Sequence, residues 1–454
     1  MSRPERYAIE PMREGRAARD LALAVVRLVI AQGRTLEAAL QETAGLGDGL
    51  HARDRAFARA IVMATLRHWT SLGHLVGQHL ERGLPPGSGP LEAILKTTAA
   101  QIVLLDAPAY AAIDIAVTQA KHHPKSRRFA ALANAVLRKT AQSGPAAFAA
   151  LDRAFMDIPG WLHESWVQDF GQERARSIAA ASLSPAELDL TVKHSDQTAA
   201  IAAELGGRVL ATGSIRIAGG IVPELAGFAD GAWWVQDAAA ALPARLLPLA
   251  PGAAVLDLCA APGGKTAQLA ARGAKVTAVD RSQARLQRVS ETLDRLGLSA
   301  ELIAADATGF DDGRRFDAIL LDAPCSATGT IRRHPDILHH RKPSDVAVLV
   351  DVQARLLQQA VRLLGSGGIL IYATCSLQRS EGEAQIEALL GQDQALARLP
   401  IAAGESGIPA NWLNDVGELR TVPDLAVPLA DGTARDSTAS VGIDGFFVAR
   451  LMKQ

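Results

Sequence analysis

Cysteine is scarce in this chain: 454 residues contain three, Cys259, Cys325 and Cys375. Three scattered thiols exclude a disulfide scaffold and fit a reducing cytoplasm. Long apolar runs are missing too. The longest early one, Leu21 to Ala31, is broken by Arg27 and falls far short of the ~20 residues that span a bilayer. Met1–Arg6 carries charges of both signs, with no apolar core or small-residue cleavage site behind it, so neither a leader nor a membrane anchor is expected. Net charge is nearly absent as well, 47 Lys and Arg against 48 Asp and Glu. Taken over the whole chain, that balance argues against a nucleic-acid partner, which usually leaves a basic footprint.

What is present points to an ordered, multidomain chain. Apolar residues make up 48% and charged residues 21%, which excludes a mainly disordered protein. At ~100–200 residues per domain the length predicts two to four domains. Residues 1–145 read as an all-α bundle, with apolar residues at helical spacing, such as Leu21, Val25, Leu28 and Val29. Breaks are expected at Gly45-Leu46-Gly47 and Leu84-Pro85-Pro86-Gly87, and the last helix should end near Lys139, before Ser143-Gly144-Pro145. Residues 146–231 read as a small α+β connecting module. From 232 to 454 short apolar runs alternate with amphipathic helices, as in a doubly wound, Rossmann-like α/β domain with a parallel sheet. The expected strands are Ala254–Leu258, Lys275–Asp280, Glu301–Asp306, Phe316–Asp322 and Gly368–Cys375.

The division resolves the charge. Residues 1–150 hold 19 Lys and Arg against 12 Asp and Glu, a net of +7, which leaves −8 for the rest. Neutrality is the sum of a basic front and an acidic back.

The first strand of the α/β region runs into Cys259-Ala260-Ala261-Pro262-Gly263-Gly264-Lys265-Thr266. A Gly-rich turn between strand and helix is where nucleotide-like ligands bind in this fold. Gly264-Lys265-Thr266 matches the end of a phosphate-binding P-loop, but Cys259 stands where that motif opens with glycine. An S-adenosylmethionine site fits better. It needs close backbone approach at the turn and an acid at the second strand end for the ribose hydroxyls. Asp280 ends the second run and Asp306 the third, where it is placed to face the adenine amino group. Strand-terminal aspartates are also common helix caps, so the weight lies on two of them following such a turn.

Cys325, in Asp322-Ala323-Pro324-Cys325-Ser326, follows the fourth strand, and Cys375, in Thr374-Cys375-Ser376, the fifth. A lone buried cysteine is usually a small core residue; two at adjacent strand ends beside a ligand turn point to chemistry. No C-x-x-C pair exists, and His334, His339 and His340 form no ligand pattern with the thiols, so no metal is expected. Two thiols beside a methyl donor suit methylation of a pyrimidine at carbon 5. Thiolate addition at carbon 6 makes carbon 5 nucleophilic, an acid at ring nitrogen 3 assists, and a base then removes the carbon-5 proton.

These motifs, with Val235-Gln236-Asp237, Arg332-Arg333-His334-Pro335-Asp336 and Asp444-Gly445-Phe446-Phe447, resemble the RNA cytosine-5 methyltransferases from about Trp233 to Leu451. The resemblance implies Cys375 as the nucleophile on carbon 6 and Cys325 as the thiol that assists product release. It implies that the backbone of Cys259, Ala260, Ala261, Pro262, Gly263, Gly264 and Lys265, with Asp280, Asp306 and Asp322, holds S-adenosylmethionine. Asp322 is also expected to reach the cytosine. In the DNA cytosine methyltransferases the Pro-Cys cysteine is the nucleophile, here Cys325; Thr374-Cys375 is what favours RNA.

Asp54-Arg55-Ala56-Phe57-Ala58, Pro108-Ala109-Tyr110-Ala111-Ala112 and Asn134-Ala135-Val136-Leu137-Arg138 resemble the NusB-type RNA-binding fold. The two parts together are similar to bacterial 16S ribosomal RNA methyltransferases, which implies a cytoplasmic, monomeric enzyme acting on a looped or single-stranded cytosine. Transfer RNA as substrate, a P-loop NTPase and a non-catalytic RNA-binding factor are the alternatives. Two segments depart from the family pattern: Val192-Lys193-His194 replaces a common Arg-x-Asn, and Glu381-Gly382-Glu383 a usual Glu-Asn-Glu. The basic stretch Lys121–Arg128 reads equally as a solvated loop or a phosphate contact; Phe129 is its only aromatic neighbour. Arg332 and Arg333 are expected to touch the target strand.

Overall fold

A computed structural model describes residues 10–431 and 442–454; Met1–Arg6 lies outside them. The chain forms two compact units, one of residues up to Glu164 together with His334–Arg341, the other of Ser165–Arg333 and Lys342–Gln454. Among the described residues no helix is long and apolar enough to cross a membrane.

The first unit is the expected helical bundle, with helices Glu10–Gln32, Leu36–Glu42, Ala52–Arg67, Trp69–Gly77, Leu91–Leu104, Ala109–His122 and Ala130–Ala149. The helical periodicity becomes burial. Val25, Val29, Ile61 and Leu66 close one cluster, and Leu72, Leu75, Leu95 and Leu137 another. One boundary differs: the last helix runs through Ser143-Gly144-Pro145 to Ala149. A side chain at Gly144 would come within 3.2 Å of Val103 and Thr140, so glycine lets the helices approach there. Phe148, one turn on, is buried in the same core, which offsets the bond Pro145 removes. The segment His334–Arg341 is tied into this unit: Asp336 accepts the Leu36 amide at 2.9 Å, and His339 Nε2 lies 2.7 Å from the Leu66 carbonyl.

In the second unit, β1 (Leu188–Val192), β2 (Arg208–Val209), β3 (Ile215–Ile217) and β4 (Trp233–Val235) form an antiparallel sheet of order β2-β3-β1-β4. Leu190, Ile215 and Trp233 fill its apolar side. A buried bidentate pair, Arg216 on Asp189 at 2.7 and 2.8 Å, satisfies the charges it encloses.

The larger sheet contains β5 (Ala254–Leu258), β6 (Lys275–Asp280), β7 (Glu301–Ala304), β8 (Phe316–Asp322), β9 (Leu364–Thr374), β10 (Leu396–Arg398), β11 (Leu419–Thr421) and β12 (Phe446–Lys453). Its order is β10-β12-β9-β8-β5-β6-β7, with β11 also on β12. Strands β5 to β9 pair in parallel, as their apolar runs predicted. The chain proceeds outward from β5 to β7, then returns to β8 on the other side of β5. That reversal opens a crevice at the carboxyl ends of β5 and β8. The sheet is mixed rather than wholly parallel, because β12 runs antiparallel on β9. Strands β10 and β11, three residues each, are too short to show a periodicity.

Candidate active site

Each element around the crevice delivers a particular backbone or side chain. After β5, Cys259 takes φ 62° and Gly263 φ 98°, which turns the chain sharply into the helix Gly264–Ala271. A Cβ on Gly263 would lie 2.9 Å from Val289, so this backbone must be glycine. Ala260 N donates to Val279 O at 3.1 Å and Ala261 N to Asp280 Oδ2 at 3.2 Å, which fixes the turn to the end of β6. The first helical bond beyond it is Ala267 N to Gly263 O, so the amides of Gly264, Lys265 and Thr266 precede the ladder.

The expected carboxylates surround this turn. Asp280 is buried; it also takes the Ser282 amide and pairs with Arg285 at 3.2 Å. Ala305 N donates to Asp280 O, which brings Asp306 alongside. Strand β7 ends at Ala304, two residues earlier than expected, and the exposed Asp306 accepts the Thr308 amide and hydroxyl. Those bonds hold its carboxyl below the usual range. A turn with no side chain at Gly263, leading amides and strand-end acids fits a small nucleoside ligand.

Asp322, at the end of β8, receives Lys265 Nζ at 2.6 Å. Burial opposes the Lys265 charge, but Asp322, with Cys375 and Asp257 behind it, more than compensates and raises the ammonium above its ordinary value. The Lys265 side chain, expected only to lend its backbone, therefore joins the Gly-rich turn to the end of β8. Asp257, inside β5, accepts the Thr266 hydroxyl at 2.6 Å, and its carboxyl is pushed up to about 7, chiefly by burial. Its alternation in a strand gave no sign of this.

The two thiols meet, with Cys325 Sγ 3.4 Å from Cys375 Sγ. The hydrogen bond to Cys375, burial and the charges of Cys375 and Glu381 push the Cys325 thiol well above its usual value. Cys325 is thus the protonated partner. Cys259 is inert for a different reason: burial first, then Asp322, Asp280 and Asp257, raise its thiol to about 12.

A residue that sequence reasoning passed over joins the two cysteine loops. Buried Glu381 accepts the Ser326 amide at 2.9 Å, the Ser326 and Ser376 hydroxyls at 2.5 Å each, and Gln353 Nε2 at 3.0 Å. Ser326 and Ser376 each follow one of the cysteines. The departure at Gly382 also has a structural reason: a Cβ there would meet Phe447 at 2.9 Å and the end of Arg420, which is bound to Glu383. The surviving glutamate was the available signal.

Arg332 and Arg333 are not free to touch a target strand. Arg333 pairs with Asp237 at 2.5 Å and Asp444 at 3.1 Å and donates to Glu187 O. Arg332 is buried among the same carboxylates. They fasten the loops that the motifs Gln236-Asp237 and Asp444-Gly445 belong to, which corrects the sequence expectation.

Such a crevice, with a Gly-rich turn beside a cysteine pair, suits an S-adenosylmethionine-dependent RNA methyltransferase. The chain belongs to the 16S rRNA methyltransferase RsmB/F family, whose model matches residues 244–452, and a NusB family model matches residues 16–142. It is 38% identical to the ribosomal RNA small subunit methyltransferase B of Xylella fastidiosa, over 97% of this chain and 99% of that one. The crystal structure of PH0851 superposes with TM-score 0.74 over the whole of both chains at 21% identity. A methyltransferase homolog protein from Pyrococcus horikoshii, 28% identical, covers 67% of this chain and 96% of its own at TM-score 0.52.

Proposed function

We propose that this chain methylates carbon 5 of a cytosine in 16S ribosomal RNA, in the cytoplasm and as a monomer, with Cys375 as nucleophile. The observation that carries the reading is the Cys325–Cys375 contact of 3.4 Å next to the Asp322–Lys265 pair of 2.6 Å. Cys259–Lys265, Asp280, Asp306 and Asp322 hold S-adenosylmethionine, which when bound supplies a methyl group on an electrophilic sulfonium. Residues 1–145 serve as the RNA-binding front, and residues 146–231 connect it to the catalytic domain, 232–454.

Cys375 sulfur forms a bond to carbon 6 of the flipped-out base, and the ring electrons move toward nitrogen 3. The Asp322–Lys265 pair, partly exposed, faces the ring there: Asp322 holds the Lys265 ammonium in place, and the ammonium stabilises the negative charge that develops. Once carbon 5 carries the methyl group, a base takes the carbon-5 proton. The 5,6 double bond then re-forms and the carbon 6–sulfur bond breaks. Cys325, kept as a thiol, donates its S–H to the departing Cys375 sulfur and so assists release.

Cys375→Ala should abolish methyl transfer to unmodified 16S ribosomal RNA and form no covalent adduct. Cys325→Ala should accumulate an enzyme–RNA adduct that survives denaturing electrophoresis. Adduct from Cys375→Ala but not from Cys325→Ala would reverse the two roles. Methylation of transfer RNA in preference to ribosomal RNA would replace the substrate.

A further inference from the structure

The second unit is acidic overall, yet one of its cavities is lined by cations. This space of about 770 Å³ lies between the small sheet and the helix that follows the cofactor turn, with Lys193, His194, Thr212, Arg245 and Arg272 on its walls. Asp196, exposed on the lining, is its only acid among the described residues. Among the described residues, the basic side chains here bind no carboxylate that would neutralise them. Lys193 donates to the Leu296 carbonyl at 2.9 Å, and Arg272 to the carbonyls of Ala244 and Leu247.

Arg245 is the telling residue. It ends the helix Ala238–Arg245, and its buried Nη1 has no hydrogen-bond partner among the described residues. Burial alone lowers its guanidinium to about 10, with no opposing charge to restore it. Two buried hydroxyls on the same lining, Thr191 and Thr212, are also without partners. A guanidinium with a buried, unpaired Nη1 and two unpaired buried hydroxyls cost stability unless something supplies acceptors. A phosphodiester group supplies anionic acceptors of the kind that guanidinium and hydroxyl donors bind.

We infer that this cavity receives a backbone phosphate of the substrate RNA, gripped by Arg245 and by the hydroxyls of Thr191 and Thr212. The inference rests on RNA being the substrate. Its position supports that occupant: Gln268 and Arg272 reach it from the helix that begins at Gly264. That helix spans only about 12 Å at 1.5 Å per residue, so one strand can engage the cavity and the crevice together. Lys193 and His194, where the family's Arg-x-Asn is missing, sit on the same lining.

The test is filter binding of an unmodified 16S ribosomal RNA transcript at increasing salt, together with thermal melts. Arg245→Gln should weaken binding about tenfold and flatten the slope of log Kd against log salt by about one. The affinity for S-adenosylmethionine should stay as it was. Arg245→Gln should also melt no lower than the parent, because it removes an uncompensated charge. Thr212→Val, which keeps the shape, should weaken binding about threefold, roughly the loss of one neutral hydrogen bond, and supplies a second reading if Arg245→Gln misfolds. An unchanged salt slope in folded Arg245→Gln, or unchanged binding by folded Thr212→Val, overturns the inference, as does a lower melt for Arg245→Gln with unchanged RNA binding. Inorganic phosphate raising the parent's melting temperature without any Arg245 effect on RNA would assign the cavity to a free anion instead. A parent that binds RNA with the Arg245-dependent slope but transfers no methyl group defeats the proposed reaction and leaves this site standing.

Discussion

Asp257 has no place in the chemistry proposed above, yet its environment makes it measurable. With its carboxyl at about 7 and an unfolded value near 4, the native state binds a proton that the unfolded chain releases across this interval. Stability from that group is therefore present at the acid end and lost as pH rises, by at most about 1.4 kcal/mol per pH unit. Asp257→Asn keeps an acceptor for the Thr266 hydroxyl and removes the ionisation. The melting temperature of the variant should climb relative to the parent between pH 5 and 8, and a difference independent of pH would refute the assignment. Asp444, also raised to about 7 by burial, remains in both proteins and cancels. No sequence pattern exposes such a residue, since Asp257 resembles any polar position in a buried strand until Thr266, Lys265 and Asp322 close around it. Cys325 and Cys375 differ in this respect, because strand-end placement alone directs both toward one crevice.

Elements translate those residues into a working geometry through Glu381. The loops after β8 and β9 carry one cysteine each, and one carboxylate ties both through Ser326 and Ser376. Glu381→Gln loses acceptor capacity for two hydroxyls and turns one side-chain end into a donor. Each charge-assisted bond is worth about 1.5–3 kcal/mol, so the variant should melt lower. More tellingly, adduct formation in a Cys325→Ala background should slow about 100-fold, the scale expected for misplaced reacting groups. A lower melt with unchanged adduct rate would make Glu381 structural only. At this scale β5, β6 and β8 end where their apolar runs end, because both faces are buried and composition tracks burial. Strands β10, β11 and β12 were hidden, as pairing with β9 and β12, rather than their own pattern, makes them strands. The helix through Pro145 was hidden for a similar reason: tertiary burial of Phe148 overrides a local breaker.

Over the whole molecule, the charge divides into +7 before residue 151 and −8 after it, and the structure says where the positive excess is available. Lys121, Lys125, Arg127 and Arg128 all lie exposed where the helix Ala109–His122 gives way to Ala130–Ala149. The bland reading of this stretch, a solvated loop, and the functional one, a phosphate contact, differ in salt dependence. Exposed charges are screened over about 8 Å at physiological ionic strength, so an idle cluster has little effect on any equilibrium there. A cluster that displaces counterions from RNA contributes about 0.9 to the salt slope per phosphate on a duplex, and about 0.7 on a single strand. Replacing Lys125, Arg127 and Arg128 together by Ala should reduce the slope of log Kd against log salt by roughly two to three and weaken binding at low salt by more than tenfold. The melting temperature should hardly move, since surface substitutions of this kind stay within about 0.5 kcal/mol. An unchanged slope would return the cluster to the solvent. The Arg245 variant, measured beside it, should lose about one unit of slope whether or not the cluster is replaced.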